Sequence, residues 1–128
     1  MTIIDKIENI AGLEAKEKYN ILLKFINKIL TNLNENSIED ITLFKNIKKI
    51  DLEKDIIKQI FNDMKDEFEE KFEKFSYVLN NIKKENSLLV YLKYMCNSLK
   101  LELITSRVTK RVGKKTISYA MYSIELNL

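Results

Sequence analysis

A chain of 128 residues, 45% hydrophobic and 32% charged, is long enough for one domain with its own core and too apolar to stay unfolded. With no histidine, one cysteine and two glycines, it lacks the residues for a Ser-His-Asp or Cys-His constellation, a histidine or multi-cysteine metal site, a Walker loop or a dinucleotide fingerprint. A formal net charge of +3 does not by itself identify a partner.

Cys96 lies in an apolar helical pattern and has no second thiol to pair with, which points to a reducing, intracellular compartment. The opening MTIIDKIENIAG alternates charged and apolar residues, and nowhere do eighteen apolar residues run together. Neither a signal peptide nor a membrane span is expected. All but two of the 22 basic residues are lysine, and isoleucine and asparagine are abundant, the mark of an AT-rich genome.

A single domain over 1–128 is expected, helical through residue 100 and closed by a β-hairpin over 101–128. A short helix from Thr2 to Ala11 would place Ile3, Ile7 and Ile10 on one face and end at Gly12. From Leu13 to Leu33 the positions Ala15, Tyr19, Leu22, Ile26, Ile29 and Leu33 step by three and four, widened by Ile21, Leu23 and Phe25, and predict a helix central to the core. The segment TNLNENS is a connection, and Ser37 with Asp40 predicts a cap for a short helix from Ile38 to Ile47. Asp51 would cap the longest pattern, in which Phe61, Met64, Phe68, Phe72, Phe75, Leu79 and Ile82 share a seam opposite an acid-rich face, a seam expected to pack against the Leu22 helix as core or else to pair with the same seam of a second copy. NNIKKEN breaks this pattern. Asn86 or Ser87 would then cap a last helix to Lys100, with Leu88, Leu92, Met95 and Leu99 inward and Lys93, Asn97 and Lys100 outward.

The stretch Leu101 to Leu126 alone reads as strand. Ile104, Val108 and Val112 share one face of the first strand, and Ile117, Tyr119 and Met121 one face of the second. Bringing these sets to the same side demands a loop of even length, either Gly113-Lys114 or Gly113 to Thr116. With Gly113-Lys114 as a type II′ loop, Val108 faces Tyr119, Leu103 faces Ile124 and Leu101 faces Leu126, at the cost of setting Glu102 against Glu125. The other face carries Arg107, Thr109, Arg111, Thr116 and Ser118 toward the tip. Such a hairpin should be rooted in the core and project outward.

Residues 103–124 hold Arg107, Lys110, Arg111, Lys114 and Lys115 and no acid, so this stretch contributes +5 and all other residues together −2. Both arginines of the chain fall here, and a guanidinium fork suits phosphate. A helix near 66–82, a short turn, a helix near 87–100 and a basic hairpin together resemble the second half of a winged-helix domain. That resemblance implies a helix in the major groove of duplex DNA and a hairpin, or wing, along the phosphates. Under it the five hairpin cations would bind phosphate, with Lys93, Asn97 and Lys100 on the helix and limited direct reading of bases.

The expectation is therefore a mostly α protein with a C-terminal hairpin, an α+β fold, that binds nucleic acid without being an enzyme and without metal, cofactor or small-molecule ligand. The competing expectation is a protein-interaction module. It would self-associate as a dimer through the Phe61, Phe68, Phe72 and Phe75 seam or through the hairpin edge. A blander role for the five cations is to keep a sheet edge from sticking.

Overall fold

The computed structural model describes residues 14–45, 47–48, 52–72 and 84–126. The helix expected at Thr2–Ala11, Gly12, the Asp51 cap, and Phe75, Leu79 and Ile82 lie outside them. Among the described residues, four α-helices and a C-terminal antiparallel hairpin make an α+β fold. No described helix is long and apolar enough to cross a membrane.

Helix α1 (Glu14–Asn32) follows its apolar stripe: Ala15, Tyr19, Leu22, Phe25, Ile26, Ile29 and Leu30 are all buried. It stops without a glycine. Asn34 takes the left-handed conformation (φ 60°), and Glu35 N–H donates to the Leu30 carbonyl at 2.9 Å while Asn34 N–H donates to that of Thr31 at 3.2 Å. This is a Schellman cap with asparagine in the glycine position. The chain that follows is tied back onto α1. Asn27 donates to the Ile38 carbonyl (3.0 Å) and accepts from its N–H (2.8 Å), and the Tyr19 hydroxyl accepts from Ile41 N–H (3.2 Å).

These tethers leave no room for the helix expected over Ile38–Ile47. A single 3-10 turn, Ile41–Leu43, takes its place, followed by the two-residue strand β1 (Ile47–Lys48). The cap is Asp40 rather than Ser37. Its Oδ1 accepts from both Thr42 N–H (2.8 Å) and Thr42 Oγ1 (2.7 Å), local bonding that competes with a regular helix.

The long phenylalanine pattern is likewise not one helix. It forms α2 (Lys54–Asp63) and α3 (Lys65–Lys71), broken at Met64 (φ −112°, ψ 12°) and ended where Phe72 turns extended (φ −126°, ψ 142°). Asn62 and Asp63, weak helix formers, precede the break, and Met64 stays fully buried beneath it. Lys24–Glu67 (2.9 Å), Lys28–Asp63 (3.7 Å) and Lys71–Glu17 (2.6 Å) join α1 to this pair. Exposed pairs of this kind contribute little to stability but favour one alignment.

Helix α4 (Lys84–Ser98) begins before Asn86 and Ser87, so neither caps it, and Ser87 is buried. Its Tyr91 meets Phe25, Phe61 and Phe68 in a tetrad with all ring centroids 4.9 to 6.3 Å apart, in tilted or edge-on contacts. Such pairs stabilise by about 0.5–1.5 kcal/mol beyond their burial. Phe61, Phe68 and Phe72 are therefore inside the chain, at 0%, 0% and 3% exposure, and do not form the surface seam that self-association would require. The tetrad takes up Phe61 and Phe68, and Phe72 meets Tyr94 edge-on at 6.4 Å.

Phe25→Ala, which removes the ring common to three contacts, is expected to cost about 3–5 kcal/mol in chemical denaturation, within the range for burying a cavity of that size. Burial pushes the Cys96 thiol up to about 12 and raises the Tyr91 and Tyr19 phenols. These groups hold their protons in the folded state at pH values where the unfolded chain releases them, so their contribution is intact at neutral pH and declines as pH rises above about 9. Denaturation midpoints should fall between pH 9 and 12, less steeply in Cys96→Ala.

Candidate nucleic-acid interface

The hairpin grows directly from α4. Leu99 N–H donates to Cys96 O (3.0 Å) and Lys100 N–H to Asn97 O (3.3 Å), and Lys100 in the left-handed conformation (φ 58°) turns helix into strand with no intervening loop. β2 (Leu101–Val112) then pairs with β3 (Lys115–Leu126) in the register predicted for a two-residue loop: Leu101 opposite Leu126, Leu103 opposite Ile124, Val108 opposite Tyr119 and Glu102 opposite Glu125. Gly113 alone of the two loop residues has positive φ (62°), the pattern of a type II′ turn. On the far side of β3 lies β1, with Ile47 opposite Tyr122 and Lys48 opposite Met121, so the sheet order is β1-β3-β2.

The two faces of the ribbon differ. On the odd-numbered face of β2, Leu101 and its neighbour Ile124 are buried in the helical core, and Leu103 and Tyr122 pack against it. The Phe44 carbonyl, held by the 3-10 turn, accepts from Ile124 N–H at 3.0 Å. Farther out this face becomes Thr105, Arg107, Thr109 and Arg111 beside Thr116, Ser118 and Ala120. Where it leaves the core, Leu103, Thr105 and Tyr122 form a groove of about 240 Å³ with Leu89, Val90 and Lys93 of α4. A 15-residue helix is roughly 22 Å long and a 12-residue strand about 40 Å, so the hairpin overhangs α4.

All eight candidate cation and amide positions, Lys93, Asn97, Lys100, Arg107, Lys110, Arg111, Lys114 and Lys115, are exposed. They do not form one patch. Arg107 and Arg111 sit on the odd face with the hydroxyls and the Lys93 groove, Lys114 is in the turn, and Lys110 and Lys115 are on the opposite face. Four residues apart on one strand, the two arginines are about 13 Å apart at the backbone. Helix α4 offers little beyond them: it buries Leu88, Tyr91, Leu92, Met95 and Cys96, leaving Val90, Lys93 and Asn97 as its exposed stripe.

The Thr105 groove and strand β1 were missed by sequence reasoning. Alternation marks Thr105 as a face-mate of Arg107, but its proximity to Lys93 depends on how the strand folds back along α4. A larger hollow of about 600 Å³ runs along α1 and is lined by that helix alone, and its lysines, Lys24 and Lys28, are already paired with Glu67 and Asp63. Among the described residues no group of three or more His, Cys, Asp or Glu side chains is placed to hold a metal ion. No family model, curated protein or solved structure matches the chain.

Nothing lies within 4 Å of where a Cβ on Gly113 would sit, so its conformation, not space, demands glycine. Gly113→Ala should cost the hairpin about 1–2 kcal/mol. The loss would appear as faster amide exchange near the tip, with the rates in α1 and α4 unchanged.

Proposed function

We propose that the chain is a non-enzymatic nucleic-acid-binding protein in which the Arg107 and Arg111 face of the hairpin contacts the phosphates of duplex DNA. The observation that carries this reading is that the chain's only two arginines lie exposed on the same polar face of an overhanging strand, among threonine and serine hydroxyls. Arginine forks and hydroxyls are the groups that bind phosphate oxygens, and a spacing of about 13 Å is close to the ~12 Å width of the major groove. Lys93 at the groove and Lys114 at the turn extend the cationic surface at its two ends. The winged-helix resemblance, with the hairpin as wing, belongs to the same proposal, although its first helix, expected near 66–82, ends at Lys71. Because α4 buries most of its surface, the arrangement favours backbone contact over base reading.

Salt-dependent binding to a short duplex, followed by fluorescence anisotropy, tests this. Four phosphate contacts give a log-log slope of roughly −3 to −4. Arg107→Gln with Arg111→Gln should reduce the slope by about 2 and weaken binding to all sequences alike, whereas Lys110→Gln with Lys115→Gln should leave the slope unchanged. Absence of binding at low salt, or a slope that depends equally on both pairs, would rule the reading out.

A further inference from the structure

Strand β2 lies at the edge of the sheet. The order β1-β3-β2 leaves it bonded only to β3 among the described residues, whereas the outer side of β3 is covered near its base by β1 and by the Phe44 carbonyl. In a hairpin with a two-residue loop the Val112/Lys115 pair closes the turn with hydrogen bonds, and bonded pairs then recur at every second residue. The even-numbered residues of β2 therefore bond to β3, and the odd-numbered ones, Thr105, Arg107, Thr109 and Arg111 among them, direct their backbone N–H and C=O groups outward. Ile124 fits this parity, since on β3 the even-numbered residues face out and its N–H reaches Phe44. All four of those β2 residues are exposed, so water reaches this outward row. Such a row is a template for a further strand.

We propose that the strand which completes this edge is β2 of a second copy, paired antiparallel about a two-fold axis through Ser106. Odd-numbered residues must meet odd-numbered ones for the outward groups to bond, which leaves few registers. With the axis at Ser106, Thr105 bonds to Arg107 of the other copy and Leu103 to Thr109. Between these rungs Glu102 stands against Lys110, Ile104 against Val108 and Ser106 against its own counterpart, and symmetry repeats the first two pairs. An axis at Arg107 instead sets that guanidinium against its counterpart, one at Val108 sets Lys110 against Ser106, and one at Thr105 sets Lys110 against Lys100. Only the Ser106 axis pairs opposite charges within β2. Non-bonded pairs bring side chains closest, with Cα atoms about 4.5 Å apart, so Lys110 answers a glutamate that already opposes Glu125 in its own hairpin. The contact makes no demand on the even-numbered face, where Ile104, Val108, Tyr119 and Met121 are half-buried in the single chain. It does not rest on the nucleic-acid reading, and it continues the Arg107 and Arg111 face across both copies. Two strands make a small area for a specific interface, so the dimer is reversible, in the micromolar range.

Sedimentation equilibrium over a concentration series on the full chain, with oxidative cross-linking, tests this. The wild type should pass from monomer toward dimer across the micromolar range. Ser106→Cys should give a disulfide-linked dimer, because a non-bonded pair on the axis lies within disulfide reach, and the buried Cys96 stays out of the reaction. Val108→Cys, whose counterpart lies about 13 Å away along the partner strand, should link at least tenfold more slowly. Glu102→Lys and Lys110→Glu should each weaken association about tenfold, and an equimolar mixture should restore it, since lysine then meets glutamate at both ends of the contact. Glu102→Lys also removes the like-charge opposition within the hairpin, so its effect is not one of unfolding. A wild type monomeric throughout, equal linking of Ser106→Cys and Val108→Cys, or a mixture that associates no more tightly than its parts would overturn the proposal.

Discussion

Two strands alone in water hold their pairing only marginally, so everything beyond Thr105 depends on how the ribbon is gripped at its base. The grip has three parts. Leu101 and Ile124 are sealed into the helical core, Phe44 takes the Ile124 amide as a hydrogen-bond donor, and β1 covers the inner part of the outer edge of β3. Each in turn rests on α1, whose Tyr19 and Asn27 hold the 38–41 segment where the Phe44 carbonyl can reach the strand. The aromatic tetrad supplies the rigid body to which this clamp is attached. Loss of any ring would loosen the root before it touched the tip.

Where side-chain alternation and turn chemistry both constrain a segment, the sequence was legible to the residue. The hairpin register follows from the parity of Ile104, Val108, Tyr119 and Met121 together with a glycine at 113. α1 is legible because its stripe is continuous and nothing competes with it. The failures have a common cause in contacts distant along the chain. Nothing local to Ile38–Ile47 reveals that Tyr19 and Asn27 will bond its backbone, and the regular step of the phenylalanine seam masks the weak helix formers Asn62 and Asp63 before the break at Met64. The direction of each hairpin face was also hidden. Both faces carry apolar side chains, and the one with Leu101, Leu103, Tyr122 and Ile124 at the base of the ribbon is the one set into the core.

This division changes the meaning of the local charge. Counted along the chain, five cations make one basic hairpin. Resolved by face, the two guanidinium groups lie with hydroxyls on a polar surface, and two ammonium groups lie with apolar side chains and an acidic pair on the other. Arginine's planar fork and lysine's compact charge suit different partners, and here they are sorted to opposite faces of one two-stranded ribbon. The single evident flaw in the pairing, glutamate against glutamate, falls on the lysine side.

The loop-free junction at Lys100 has a mechanical consequence. With only Leu99 and Lys100 between helix and strand, the ribbon has no loop of its own and follows any movement of α4. Over a lever of about 40 Å, a rotation of roughly 10° about the root carries Gly113 some 7 Å. Small adjustments in the packing of α4 around Tyr91 are thereby amplified into displacements the width of a base-pair step or more at the tip, so the aromatic core sets the aim of the hairpin as well as its anchorage.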